Sequence, residues 1–357
     1  HRFCQRDKHC RHQYSEKKLL ETLSPFMEKI NKNPINALFS FQDGKVAAFR
    51  PSENGQEVDI DKAKSILDSK LSILLSARKS SNIFIPIPIR TIVPKITTDS
   101  VNDLGIKELI GTGSSLFQHS IPGRIFNVNL AASRVNGILV APNEEFSFNK
   151  SLGDVSSFTG YKQAYVIKNG RTVLGDGGGV CQVSTTFFRS LLNAGLPITE
   201  RYAHAYRVGY YEQDSPPGFD ATIYVPTVDL KFKNDTGNYI LIQTQIDKDL
   251  QKLSFFLYGT KDNRIVEIGK PAVTNIVPPP EDVYQDDPSL PKGTIKQIDY
   301  KAEGARVSVT RKVTKNGKVL ISETFRVIVR MVRCAVWKNN SPIPFDLFCV
   351  APRRPSA

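Results

Sequence analysis

Three consecutive glycines, Gly177 to Gly179, lead through Val180 into Cys181-Gln182 and then into a run whose apolar residues step by fours. Val183, Phe187 and Leu191 lie on one stripe, with Phe188 and Leu192 beside it. Glycine is permissive in turns and poor inside helices, so the stretch GGGVCQVSTT (177–186) demands a tight turn opening directly onto a helix. Gly195 ends that helix and Pro197 prevents its return. Cys181, the only cysteine between Cys10 and Cys334, then falls in the first helical turn. Two readings follow: a thiol polarised for chemistry, or a small buried residue beside a glycine turn.

A catalytic cysteine needs a lowered pKa, a base nearby and room for substrate. A helix N-terminus supplies part of the first through its partial positive charge and unsatisfied N–H groups, which could also form an oxyanion hole. Gly178 and Gly179 would let a peptide backbone pass close to the sulfur. Gln182 is a candidate oxyanion donor, and Ser184 and Thr185 complete a candidate substrate-binding set. For the base the choice is narrow, because outside the basic leader only His119 and His204 occur. His204 lies on an expected strand between small neighbours, Ala203 and Ala205, and Asp220 heads the next expected strand, where it could orient the imidazole. Cysteine on a helix start, then histidine, then aspartate on successive strands is similar to the order in transglutaminase-like and papain-like enzymes. The plainer reading keeps Cys181 as packing, His204 as a hydrogen-bonded core residue and Asp220 as a turn cap.

Along the chain, Ser15 to Asn31 has helical periodicity, and Asp43-Gly44 between 37–41 and 45–49 is a two-residue hairpin signal. A second helix follows with Asp61 as expected N-cap and Ile60, Ala63, Leu67, Leu71, Leu74 and Leu75 on one stripe. Ile83, Ile85, Ile87 and Ile89 alternate with Phe84, Pro86 and Pro88, which predicts an edge strand. Gly111 to Ser115 reads as a polar loop, Arg124 to Asn136 as a helix closed by Gly137, and Asn169-Gly170 as the turn of a hairpin spanning 161–174. Strands are expected at 202–211 and 219–225, then at 230–232, 239–246 and 252–258. Val277 to Pro280 marks a stiff linker. Beyond it, 293–309 and 312–327 alternate in a β manner, with a turn at Asn316-Gly317, and the stretch from Met331 fits no strand pattern.

At 357 residues the chain is longer than one core usually organises, and its 40% hydrophobic content supplies several. The expected fold is a multidomain α+β chain: a small α+β N-terminal module, a central α+β domain with an antiparallel sheet, transglutaminase- or papain-like, and a small all-β C-terminal module. A net charge of +13 attracts polyanions, including nucleic acid, anionic lipid and anionic wall polymers. No basic block is interleaved with stacking aromatics and no recognition-helix spacing occurs, which argues against nucleic acid. The five cysteines, Cys4, Cys10, Cys181, Cys334 and Cys349, form no disulfide framework. Cys4, His9, Cys10 and His12 match no zinc spacing, so neither metal nor cofactor is expected. No run of 18 apolar residues occurs, so no transmembrane segment is expected, and the start at His1 reads as a fragment lacking a signal or anchor segment.

Several motifs together resemble a known family. They are Gly111-Thr112-Gly113-Ser114, the segment Asn143 to Asn149, Gly160-Tyr161, GGGVCQVSTT, Ala194-Gly195-Leu196 with Glu200-Arg201, His204, Asp220-Ala221-Thr222 and Asp229 to Asn234. In this order they resemble the VanW domain, over about 106–262. Residues 20–105 are similar to the peptidoglycan-binding module that often precedes it, and 283–330 resemble a G5 domain. The remaining parts are a basic leader (1–19), a Pro-rich linker (263–282) and an irregular tail (331–357). Asn143 stands where the family is expected to have glycine, Ala205 follows His204 where serine is usual, and the G5-like pattern is lost after about Phe325. The resemblance implies an exported protein of the bacterial cell envelope that associates with peptidoglycan, in a family named for vancomycin-resistance gene clusters, with no activity established. From the residues, the alternative is a thiol enzyme acting on amide bonds of wall peptides through Cys181, His204 and Asp220.

Overall fold

Ser15 accepts a hydrogen bond from the Lys18 N–H and opens α1 (Glu16–Ile30). The computed structural model describes residues 15–77, 84–99, 104–168, 171–205, 207–279, 281, 283–286, 291, 295–297, 303–329 and 335–338. The Cys4-His9-Cys10-His12 cluster, the Asn169-Gly170 turn, Cys334 and the chain from 339 onward, with Cys349, lie outside them. The chain divides into two compact units, one ending at Lys107 with the short segment 137–139 grouped into it, the other formed by the rest.

In the first unit, Asp43 and Gly44 take φ of 50° and 76°, the left-handed pair that closes β1 (Leu38–Gln42) onto β2 (Lys45–Arg50). Next come β3 (Gly55–Val58), α2 (Ile60–Ala77) and β4 (Ile89–Ile92), with β3 and β4 antiparallel. The cap of α2 is Asp59, which accepts from the Lys62 N–H at 2.9 Å, not the expected Asp61. Ile83, where the expected strand starts, lies outside the described residues; 84–88 form no ladder, since Pro86 and Pro88 have no N–H to give one, and the strand begins at Ile89.

The second unit opens with β5 (Glu108–Leu116) and α3 (Pro122–Val135), β6 (Ile138–Val140) straddles the division between the two units, and β7 (Glu145–Ser147) and α4 (Phe148–Leu152) follow in the second. The hairpin of β8 (Gln163–Lys168) and β9 (Arg171–Asp176) feeds directly into α5 (Val180–Asn193). Short β10 (Ile198–Glu200) and β11 (Lys231–Lys233) pair together, and β12 (Ile240–Asp247) and β13 (Lys252–Gly259) extend a sheet with β5 at its side. Helix α5 packs on β5 and β13, and Phe187 sits among Phe146, Phe148, Phe232 and Phe255 at centroid distances of 5.1 to 5.9 Å. The stretch 111–115, expected to be a loop, is the middle of β5. A Cβ on Gly111 would lie 2.5 Å from the Ala194 Cβ, and one on Gly113 only 2.4 Å from the Ser190 N. The glycines let the strand touch the helix backbone.

The all-β part consists of β14 (Arg264–Ile268), β15 (Ala272–Val277), β16 (Val283–Asp286), β17 (Ile295–Gln297), β18 (Gly304–Lys315), β19 (Lys318–Val329) and β20 (Ala335–Lys338). The β18–β19 hairpin turns at Asn316 and Gly317, with φ of 50° and 77°. The stretch 263–282, read as a linker, supplies β14 and β15, which both pair with β18. Pairing continues past Phe325 to Val329, and β20 forms a strand in the supposed tail, beside β16 and β17. Gly195, at the end of α5, takes φ of 69° and packs against this sheet: a Cβ there would lie 2.7 Å from Val266 Cγ2 and 3.1 Å from Val313 Cγ1.

Candidate active site

Gly179 precedes α5 with φ of 111°, a left-handed conformation that glycine adopts without strain. A Cβ on it would stand 3.0 Å from Arg124 Cγ, and one on Gly178 would stand 2.6 Å from the Tyr165 carbonyl oxygen. Both glycines therefore serve close packing of the turn against α3 and β8. The turn places Cys181 at the second helical position, half-buried and free. The first-turn N–H groups of Val180 and Gln182 already donate to the Gly177 and Gly179 carbonyls.

The thiol Sγ lies 3.5 Å from the Ile223 carbonyl oxygen and 3.7 Å from Thr222 Oγ1. His204 is buried, and its Nδ1 stands 2.7 Å from Asp220 Oδ2, which also accepts the His204 backbone N–H at 2.7 Å. With the carboxylate on Nδ1, Nε2 is left to the Tyr211 hydroxyl, 3.5 Å away. Burial opposes charge on all three groups. Hydrogen bonding and attraction between neighbours outweigh it: the Cys181 pKa is lowered by His204, then by Ile223 and Thr222, and the Asp220 pKa by His204 and Arg201. His204, against burial, is pushed up to about 9 by Asp220 and Cys181. The directions together favour a thiolate beside an imidazolium.

Among the described residues, the strands expected at 202–211 and 219–225 are absent as regular ladders. One bridge, Tyr202 to Thr222, joins the two segments, and residues 209–212 form a 3-10 turn. Side chains take over the backbone groups: Asp220 accepts the His204 N–H, and Arg201 Nε donates to the Asp220 carbonyl at 2.8 Å. Three expected substrate-binding groups are placed differently as well. Gln182 is fully buried, donating from Nε2 to Ser115 Oγ at 2.7 Å and accepting from Arg124 Nη2 at 2.7 Å, so it is no oxyanion donor. Ser184 and Thr185 are equally buried and hold Ala221: the Ser184 hydroxyl donates to its carbonyl at 2.7 Å and Thr185 Oγ1 accepts its N–H at 3.1 Å. These two α5 residues fix the Asp220 segment instead of facing a ligand. His119 sits in a turn with φ of 60° and contributes its carbonyl to the Tyr210 hydroxyl.

Sequence reasoning missed Arg124, Arg201 and the pair Tyr210-Tyr211. Arg124 is buried, with Nη1 on Ser120 Oγ at 2.7 Å and its Cζ 3.8 Å from the Tyr210 ring centre. The signal for it was legible, since Arg124 steps by fours with Val128 and Ala132 on the buried stripe of α3. A shallow pocket beside the imidazole is lined by His204, Asp220, Arg189, Tyr211, Phe219 and Val327. Among the described residues no group of three or more His, Cys, Asp or Glu side chains could hold a metal, and no helix is long and apolar enough to cross a membrane.

Comparison with known proteins finds that residues 123–257, which contain Cys181, His204 and Asp220, match the family model described as "VanW like protein". Residues 2–76 match the model described as "Putative peptidoglycan binding domain", and 270–330 match the G5 domain. The chain carries a VanW domain. The uncharacterized protein YoaR of Bacillus subtilis (strain 168) is 37% identical over 161 residues, 45% of this chain and 52% of that protein. The Vancomycin B-type resistance protein VanW of Enterococcus faecalis (strain ATCC 700802 / V583) is 32% identical over 149 residues, 40% of this chain and 54% of that protein. The chain thus spans about half the length of the curated relatives it matches. Two solved structures resemble parts of it: HP0197-G5, 22% identical over 21% of this chain and 97% of its own, with a TM-score of 0.12, and the IgA1 protease G5 domain, 18% identical over 23% and 94%, with a TM-score of 0.15. The domain complement is that of a cell-wall-associated VanW-like protein. In the VanW domain, Asn143 takes φ of 64°, so the position where glycine was expected has the left-handed backbone that asparagine tolerates.

Proposed function

We propose that the VanW domain is a thiol enzyme, acting at the cell envelope after export, that hydrolyses or transfers amide bonds of peptidoglycan peptides. The observation that carries this reading is geometric: Cys181 opens α5 with its Sγ 3.7 Å from Thr222 Oγ1, on the segment whose Asp220 stands 2.7 Å from His204 Nδ1. Thiolate Sγ attacks the carbonyl carbon of the amide, forming a tetrahedral oxyanion. As the C–N bond breaks, the His204 imidazolium gives its proton to the departing nitrogen, leaving a thioester and a free amine. Water, or a second amine, then adds to the thioester carbonyl; His204 takes the nucleophile's proton and the sulfur leaves as thiolate. Asp220 keeps the imidazole oriented throughout. Incubation with purified peptidoglycan fragments, followed by amine release, tests this: the wild type releases amine and Cys181→Ser releases none while retaining its fold. Equal release from both would end the enzyme reading.

A second reading is association with peptidoglycan without turnover, as an accessory factor in glycopeptide resistance. It is favoured by the two flanking matches, by the net charge of +13 and by the relative named for vancomycin resistance. Retention on purified sacculi at high salt, above that of an unrelated protein of equal charge, is its expected result; retention no greater than that control would remove it.

A further inference from the structure

We infer that the G5 domain forms part of the VanW-domain site, with Phe325 acting through Arg201 as a positioning residue for Asp220. The inference rests on the thiol reading for its catalytic meaning, while its geometry stands independently.

Among the described residues the segments bearing His204 and Asp220 are joined by a single β bridge, so their placement depends on side chains. Arg201 is the principal one. Its Nε donates to the Asp220 carbonyl at 2.8 Å, and its Nη2 reaches the Gly218 carbonyl at 3.2 Å and Asp220 Oδ1 at 3.3 Å. A guanidinium can make these contacts together only if its plane is held. Two rings hold it: Cζ lies 5.0 Å from the Phe188 centroid on α5 and 5.7 Å from that of Phe325 on β19. The rings stand edge to face, 5.6 Å apart at 90°. Phe325 is anchored in turn by Arg311, whose Cζ lies 5.8 Å from the ring and whose Nη2 donates to the Leu196 carbonyl at 2.9 Å.

The backbone on either side of the dyad tells the same story. Ala203 and Phe219, each one residue from His204 or Asp220, pack with Phe325 against the buried cluster of Val307, Val309 and Val327. Gly218, with φ of 94°, meets that sheet so closely that a Cβ would lie 3.0 Å from Val307 Cγ1 and Val309 Cγ2. Val327 lines the pocket that His204 and Asp220 open into. The β18–β19 hairpin is therefore a wall of the site and a support of its carboxylate.

The test uses the full chain with Phe325→Leu, which keeps apolar bulk and loses the ring, and Phe325→Tyr, which keeps the ring. Two readouts are taken: imidazole titration of His204 by NMR, and Cys181 alkylation by iodoacetamide against pH. Phe325→Leu is expected to lower the His204 midpoint by about one pH unit and to slow alkylation at pH 6 about tenfold, with Phe325→Tyr close to wild type. A wild-type His204 titration in Phe325→Leu, under conditions where Asp220→Asn shifts it, would overturn the inference. If Phe325→Leu fails to unfold cooperatively, Arg201→Lys, which keeps the charge and loses the fork, is read by the same titration with the same two outcomes. An ordinary, slow thiol in the wild type would instead count against the proposed function, leaving the His204 readout to decide the positioning role.

Discussion

His204 holds its proton because of Asp220 and Cys181 and in spite of its burial. Removing the imidazole leaves a buried thiol without a cation beside it, so His204→Ala is expected to push the Cys181 pKa up and to cut alkylation at pH 6 to 7 at least about tenfold. Stability follows from the same pair. The raised His204 pKa contributes stability that is fully present below about 6.5, the unfolded value, and is lost as pH rises through about 9. The lowered Cys181 pKa contributes stability that is present above the ordinary thiol value and is lost as pH falls through the lowered one. Above both the unfolded histidine value of about 6.5 and the lowered Cys181 pKa, and up to about pH 9, the two slopes oppose each other, because the folded and unfolded pair each carry about one proton. Wild-type thermal midpoints should therefore change little from this pair over that range. In Cys181→Ser only the imidazolium contribution remains, and the midpoint is expected to fall as pH rises above about 6.5. That His204 and Asp220 would meet near the Cys181 helix was legible because His204 is the one histidine that follows Cys181 in the chain; the catalytic roles of the three are the proposal made above. The places of Gln182, Ser184 and Thr185 were not legible, since the apolar stripe of α5 gives no sign that its polar side is buried as well.

Elements with a single periodic face, such as α3 and α5, were legible from their apolar spacing, and hairpins with Asp-Gly or Asn-Gly from turn chemistry. The polar, glycine-rich β5 was not. Its glycines suggest a loop until the backbone of α5 is seen against them, and only the fold reveals that approach. Gly113→Ala sets a methyl 2.4 Å from the Ser190 N and 2.6 Å from the Thr186 carbonyl oxygen, both backbone atoms of a central helix. The expected cost is about 1 to 3 kcal/mol, read as a lower urea midpoint with unchanged slope. The segments 202–211 and 219–225 failed in the opposite way. Their composition suits strands, but Arg201 and Asp220 occupy the backbone partners a ladder would need. β15 escaped notice because all six of its residues are exposed, so no alternation of burial marks it.

Over the whole molecule, the modular order was readable from composition and motif, while the join between the VanW domain and the all-β part was not. Pro278 to Pro280 suggested a boundary there, yet the chain has already begun the β sheet at Arg264. The contact runs along α5. This helix has 14 residues, about 21 Å of rise, with the thiol in its first turn and Gly195 just past its other end. At that end Arg264 Nη1 donates to the Gly195 carbonyl at 2.8 Å, and Val266 and Val313 close over the glycine. A chain cut after Gly259 would leave Phe188, Leu196 and the end of α5 facing water. The smallest piece expected to survive limited proteolysis as one body therefore runs from Glu108 to Val329, and a shorter piece resisting digestion equally well would contradict that. The helix that presents the sulfur at one end is seated at the other in the sheet whose β18–β19 hairpin supports Asp220, so autonomy, usually assumed of each module in such an array, is a property of the pair.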